Sequence, residues 1–289
     1  MSTAVAEVTP GVYDMSAEDY HKDPVREQGG SLSSTGARKI LACPALYRHE
    51  QDNPQPPKKH FDYGTAAHKL VLGDGPELVR VDHDNWRSKK AQDARDEAHA
   101  RGAIPLLTHE YQQVHDMAAA LREHPVASAL FAPDSGKPEQ TLIWVDRRTG
   151  VWRRARFDWL RNPGSGRLLI PDYKTTANAA PEAAQKSIYN FGYHQQGDFY
   201  EDAPLALGMA EEAVFLLVFQ EKTPPYLITV VQPDPDAMRI AAARNRQAID
   251  KWIECRESGH WPGYGDDIHL LPLPPWALNR ELDDLEEYL

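Results

Sequence analysis

The sequence predicts an α/β (α+β) protein, a central mixed β-sheet flanked by helices, and three observations predict it. The hydrophobic period is two across Thr141-Leu-Ile-Trp-Val145 and Val151-Trp-Arg-Arg-Ala-Arg-Phe-Asp-Trp-Leu160, with turn residues Asp146-Arg-Arg-Thr-Gly150 between them, which is a hairpin pattern. After the turn Asn162-Pro-Gly-Ser-Gly166, the run Arg167-Leu-Leu-Ile-Pro-Asp-Tyr-Lys174 reads as a third strand of the same sheet. A long helical stretch over 181–207 then leads to a buried strand at 213–220 and a partner at 226–231, joined by Lys222-Thr-Pro-Pro225.

The remaining elements follow in chain order. Residues 1–30 are polar and read as irregular, ending at Gly29-Gly30. A helix is expected from about Thr35 to His49, interrupted near Cys43-Pro44, then a proline-rich connection over 52–57 and a short helix over 63–72 with small residues on one side. Residues 86–101 and 108–124 carry a helical period and suit two surface helices, the second capped near Thr108. An amphipathic helix is expected over 235–257, and the tail beyond it, rich in proline and acid, is expected to be extended. The organisation is an irregular segment over 1–30, one domain over 31–276 and an acidic tail over 277–289.

Composition narrows the function. An apolar fraction of 41% across 289 residues is enough to build a core, and the longest apolar run, Ala213 to Phe219, is far shorter than a membrane span. No basic region followed by an apolar one opens the chain, so the cytoplasm is the expected compartment. Two cysteines, Cys43 and Cys255, exclude a disulfide framework and a four-thiolate zinc or iron–sulfur site. The net charge of −11 argues against a surface that grips nucleic acid everywhere. A local basic field is still expected, because Arg147, Arg148, Arg153, Arg154, Arg156 and Arg161 surround Asp158 in the sequence.

The chemistry centres on Asp158, Asp172 and Lys174. Asp158 comes late in one predicted strand and Asp172 late in the next, and a period of two places Asp172 and Lys174 on one face. Two carboxylates close together form a hard-oxygen site suited to Mg²⁺, and a nearby ammonium can orient water and offset charge on a phosphoryl group. Read alone, an Asp-x-Lys triplet is an ordinary solvated strand end. Here it ends an apolar strand, follows a second Asp at hairpin spacing and is flanked by Thr175-Thr176.

Four longer motifs surround this centre: Arg156-Phe-Asp-Trp159, Pro171-Asp-Tyr-Lys-Thr-Thr176, Tyr193-His-Gln-Gln-Gly-Asp-Phe-Tyr200 and Tyr63-Gly-Thr-Ala-Ala-His68. With Ser31-Leu-Ser-Ser-Thr35, Cys43-Pro-Ala-Leu-Tyr47 and Leu273-Pro-Pro-Trp276, they resemble the exonuclease VIII (RecE-type) branch of the PD-(D/E)xK superfamily from about Ser31 to Trp276. The resemblance implies a restriction-endonuclease-like core and a Mg²⁺-dependent exonuclease, with Mn²⁺ as a substitute, acting on one strand of duplex DNA from its 5′ end. It also implies phage or prophage origin, work in a bacterial host beside a single-strand annealing protein (RecT-like), and a ring-shaped homo-oligomer. Asp158 and Asp172 become metal ligands and Lys174 the catalytic lysine. His68 becomes a further ligand, and Gln196 contacts DNA or orders the site, with Tyr193 one helical turn before it. Glu139 is a weaker match for another ligand, and Tyr173, between Asp172 and Lys174, is counted with the metal site.

Each of these residues has a plainer reading. His68 would serve equally as a buried, hydrogen-bonded histidine, Gln196 and Tyr193 as packing residues, and Glu139 as a solvated loop acid. Arg154 and Arg156 share one strand face and are assigned to DNA phosphates, while Arg153 points to the other; all three could instead be solvated strand charge. Trp86, Arg87, Lys89 and Lys90 read equally as a DNA-contacting segment or a helix start. Alternatives for the whole chain are an inactive interaction protein of the same fold, an endonuclease of the same superfamily, and a hydrolase of small phosphoesters.

Overall fold

The computed structural model describes residues 7–53, 62–164, 166–286 and 288. Strand β1 (Gly11–Tyr13) and helix α1 (Ala17–His21) lie within the stretch read as irregular. Strand β2 (Ser31–Ser33) then passes straight into α2 (Ser34–Ala42), whose N-terminus is capped by Ser33 Oγ accepting from Gly36 N at 3.1 Å. Pro44 ends that helix and opens α3 (Pro44–Asp52), so the interruption falls where proline placed it. From residue 54 the expected proline-rich connection lies outside the described residues. Helix α4 (Asp62–Leu72) follows.

Next comes a small parallel pair, β3 (Leu78–Val81) and β4 (Ile104–Leu107), linked by α5 (Lys89–Ala100). Helix α6 (Thr108–Glu123) starts one residue earlier than Thr108 would cap it, with Glu110 accepting from Leu107 N at 2.8 Å. It is no surface helix: Val114, Met117, Ala118 and Leu121 are buried. After α7 (Pro125–Leu130), β5 (Gly136–Val145) and β6 (Trp152–Arg161) form the expected hairpin, with Thr141 opposite Arg156. Its turn is held by Asp146, which accepts from Thr149 N at 3.0 Å and from Thr149 Oγ1 at 2.8 Å.

The third strand departs from expectation. Strand β7 (Leu168–Thr176) runs alongside β6 but hydrogen-bonds to β8 (Ala213–Glu221), and β8 pairs in turn with β9 (Ile228–Val231). The sheets therefore have the orders β1-β5-β6-β2 and β7-β8-β9. Because β7 and β8 are parallel, their connection has to cross over the sheet, and two helices make the crossing: α8 (Pro181–Asn190) and α9 (Tyr193–Ala206). The single long helix expected here is broken at Gly192, which sits in the left-handed region at φ 64°. Helix α10 (Pro235–Ser258) closes the core. The tail is not extended throughout, since α11 occupies Pro275–Asp284, and Ile268, Leu270, Leu271 and Trp276 stand exposed around its start.

Side chains from the sheets, α2, α9 and α10 fill the main core, including Trp144, Phe157, Phe199 and Phe215. A second cluster packs α4, α6 and α7 against β7 and β8 through Met117, Leu130 and Tyr173. Helix α9 can approach β8 because position 197 is glycine; a Cβ there would lie 2.7 Å from Phe215 Cδ1. Gly197→Ala is expected to destabilise the protein by about 1–3 kcal/mol through overpacking. The check is urea denaturation, with a lowered midpoint at unchanged slope; an unchanged midpoint refutes the close-approach reading.

Candidate active site

The period-two alternation of β7 places Asp172 and Lys174 on one face, and the two form an ion pair. On the neighbouring hairpin, Glu139 stands opposite Asp158: Pro138 pairs with Trp159 and Gln140 with Phe157, and the position between them carries no ladder pair. Among the described residues, Glu139 is one of three non-glycine residues with positive φ, at 52°. A strained backbone at a carboxylate placed across from another carboxylate is unfavourable unless something holds both charges. Helix α4 brings His68 to the same place, its Nδ1 3.8 Å from Asp158 Oδ2.

One donor atom each from His68, Glu139 and Asp158 lies within 4.8 Å of the others, all three residues being partly buried. Two carboxylate oxygens and one imidazole nitrogen are a reasonable donor set for a divalent cation such as Mg²⁺ or Mn²⁺. Asp172, expected as a further ligand, is not part of this trio. Its Oδ1 accepts from Gln196 Nε2 at 2.8 Å and its Oδ2 faces the Lys174 ammonium. Gln196 thus positions Asp172, one turn after Tyr193, whose ring is 5.3 Å from Lys174 Nζ.

Of Tyr173, counted with the metal site, only the main chain is placed to take part. Alternation turns its side chain to the opposite face, where the phenol is fully buried and donates to Gln220 Oε1 at 2.6 Å. Only its backbone enters the site, its N–H donating to Asp158 Oδ2 at 2.7 Å and its main chain meeting His68.

Burial and crowding set the protonation states. Burial, then the Asp158 charge, push Glu139 up to about 7 against the pull of Arg156. Burial lifts Asp172 to about 6 despite Lys174, and raises Asp158 as well. Burial and the Lys174 charge drop His68 to about 4, leaving it neutral at pH 7 with a free nitrogen lone pair. For Lys174, burial pulls downward but Asp172 and Asp158 outweigh it and hold the amine above the ordinary lysine range.

The assignment of Arg154 to DNA is overturned. The N-terminal segment read as irregular covers that face of β6, so Arg154 is buried, donating to Ser31 O at 2.6 Å and pairing with Asp23 at 3.3 Å. Arg156 donates to Glu139 Oε2 and to Met15 O, each at 2.6 Å. Arg153, on the opposite face, is buried between Asp202 and Asp146. Arg147 and Arg161 donate to main-chain carbonyls and Arg148 pairs with Asp250. All six arginines expected to form a basic field therefore have partners within the protein, Arg153 and Arg154 buried and Arg147 and Arg148 at the surface. Arg38 of α2 was missed in the sequence. Partly buried beside Tyr193 and within electrostatic reach of Asp172, it donates to Phe191 O, and nothing in its local motif marks it.

A family described as a PDDEXK-like domain of unknown function (DUF3799) matches residues 33–273. Among solved structures, a candidate exonuclease from Eubacterium rectale superposes with a TM-score of 0.59 at 12% identity, covering 92% of this chain and 98% of that one. An alkaline exonuclease from Laribacter hongkongensis has a TM-score of 0.25 at 11% identity, covering 70% of this chain and 98% of that one. The first supports the fold alone, and nothing rests on the second. No curated protein matches the sequence.

Two outcomes follow from the raised pKa of Glu139. A metal must displace a proton from Glu139 below about pH 7, so Mg²⁺ or Mn²⁺ affinity should fall as pH drops from 8 to 6, with proton release measurable by calorimetry. A pH-independent affinity would remove Glu139 from the ligand set. Without metal, a carboxyl whose folded pKa is raised contributes stability below its unfolded value that is lost as pH rises through about 7. In EDTA, the thermal midpoint of Glu139→Gln should therefore gain on wild type between pH 5 and pH 8.

Proposed function

We propose an activity for this chain, which belongs to the family of PDDEXK-like domains of unknown function (DUF3799) and has the fold of PD-(D/E)xK nucleases. It is a Mg²⁺-dependent exodeoxyribonuclease that degrades one strand of linear duplex DNA from the 5′ end, leaving 3′ single-stranded overhangs for recombination by strand annealing. The observation that carries this reading is the convergence of His68, Glu139 and Asp158 beside the Asp172–Lys174 pair, with Gln196 anchoring Asp172.

His68, Glu139 and Asp158 would hold the ion, which when bound polarises a phosphodiester oxygen and lowers the pKa of a water. Every other contribution comes from side chains already in place. Asp172 and Asp158 favour the protonated amine of Lys174, so it serves as a cation for the charge that builds on the phosphoryl oxygens. Gln196 keeps Asp172 facing Lys174, and Asp172 aims the ammonium. Tyr173 N–H fixes the rotamer of Asp158 from the neighbouring strand. Arg156 does the same for Glu139.

The 5′ polarity, the RecE-type assignment, phage or prophage origin and an annealing partner (RecT-like) in the bacterial cytoplasm rest on the resemblance of the motifs to exonuclease VIII. So does a ring-shaped homo-oligomer. A ring also suits the net charge of −11, because only its inner wall needs to attract phosphates.

Linear duplex labelled at its 5′ ends should be degraded by wild type only with Mg²⁺. Lys174→Ala should slow this by about 10²–10³-fold, the loss typical of removing one charge-stabilising group. Covalently closed circles should be spared. Absence of Mg²⁺-dependent loss, or full activity in Lys174→Ala, would overturn the reading, and rapid nicking of circles would make the enzyme an endonuclease.

A further inference from the structure

The break between α8 and α9 has a consequence at the mouth of the site. Gly192 turns the chain through the left-handed region, and a Cβ at this position would lie 2.7 Å from Arg38 Cδ. Arg38 donates to the carbonyl of Phe191, tying the bend to α2. The bend leaves Phe191 59% exposed, a large apolar surface on a segment held by Arg38. On its inner side the Phe191 ring meets Tyr193, with centroids 5.6 Å apart and planes inclined by 34°. Tyr193 in turn lies 5.3 Å from the Lys174 ammonium. An aromatic path thus runs outward from the catalytic lysine and ends on an exposed ring.

We propose that Phe191 is a stacking platform for an unpaired nucleobase of the DNA end, within about three nucleotides of the phosphodiester at Lys174. Laid end to end, the two ring contacts bound the separation at about three steps of a stacked strand, roughly 3.4 Å each. Every base has a π-face, so such a platform accepts any sequence, as a processive end-degrading enzyme requires. A paired base offers its face only to its neighbours in the stack, so the platform favours a frayed end. Arg38 adds a cation beneath the same bend, on the side that faces Asp172 and Tyr193. The inference rests on the nuclease reading, because it takes the phosphodiester to lie at Lys174.

The test uses the full chain with Ca²⁺ in place of Mg²⁺ and a duplex carrying 2-aminopurine in its last three nucleotides. Binding to wild type should quench the probe through stacking on Phe191. Phe191→Ala should abolish the quench and weaken binding by roughly 5- to 150-fold, equivalent to the 1–3 kcal/mol of one stacked base. Phe191→Trp should retain both quench and affinity, whereas Phe191→Leu should not. Thermal midpoints of the variants should match wild type, since the ring is mostly exposed.

With Mg²⁺, Phe191→Ala should lose more rate on blunt, GC-rich ends than on ends with pre-frayed, mismatched termini. An unchanged quench and affinity in Phe191→Ala would overturn the platform while leaving the nuclease reading intact. A wild type that neither binds nor cleaves DNA would overturn the nuclease reading and the platform with it. If Phe191→Ala left DNA binding alone but lowered the mass in sedimentation, the ring would belong to a protein contact and the proposal would fall.

Discussion

Three carboxylates, Glu139, Asp158 and Asp172, are gathered in a partly buried space at the end of two adjoining sheets, and their mutual repulsion is the constraint around which the structure is arranged. Burial raises the pKa of each, the Asp158 charge adds to the rise at Glu139 and Asp172, and Lys174 and Arg156 pull the other way. Left alone they would take up protons or move apart. Instead each has a dedicated partner: Arg156 for Glu139, the Tyr173 N–H for Asp158, and Lys174 with Gln196 for Asp172. These partners come from β6, β7 and α9, so the packing of α9 through Gly197 and the placement of β7 beside β6 are conditions for the site.

The arginines follow a different logic from the one their sequence suggests. Both faces of β6 are covered, one by α9 and the other by the N-terminal segment, and a buried guanidinium must be paired. Asp202 and Asp146 answer Arg153, and Asp23 answers Arg154. Arg153 also lies over the rings of Trp144 and Phe199, so the pair is sandwiched in the main core. Among the described residues, the site's cations are Lys174, Arg156 on Glu139, and Arg38 beside Tyr193. A site with so little basic charge of its own places more weight on a bound divalent ion and on stacking than on an electrostatic groove.

Much of this was legible beforehand. The hairpin, the strand that carries Asp172 and Lys174, the helical stretch and buried strand that follow it, and the proline-broken pair α2 and α3 follow from local pattern, because period, turn chemistry and proline act over a few residues. The pairing of β7 was not legible. Its residues are apolar enough to sit in either sheet, and which neighbour receives its hydrogen bonds depends on where α8 and α9 carry the chain. The break at Gly192 was also hidden, since a glycine inside a helical period is usually tolerated, and only contact with Arg38 shows why this one turns the chain. The N-terminal segment has little periodicity, and its role emerges only when β1 pairs with β5 and Asp23 meets Arg154.

At the site the division is sharper. The sequence by itself determined that Asp172 and Lys174 share a face and that Asp158 comes late in the strand before them, because a β-strand alternates whatever surrounds it. The same alternation removes the Tyr173 side chain from the ligands. Only the tertiary structure decided that Glu139 and His68 join Asp158 while Asp172 is held by Lys174 and Gln196. Those contacts join residues far apart in the chain, where no local periodicity operates and the outcome depends on how α4, β5 and α9 pack. Tertiary structure also decided the fate of the arginines. A charged residue on a strand reads the same in sequence whether water or an aspartate meets it, and that choice is made by what covers the sheet.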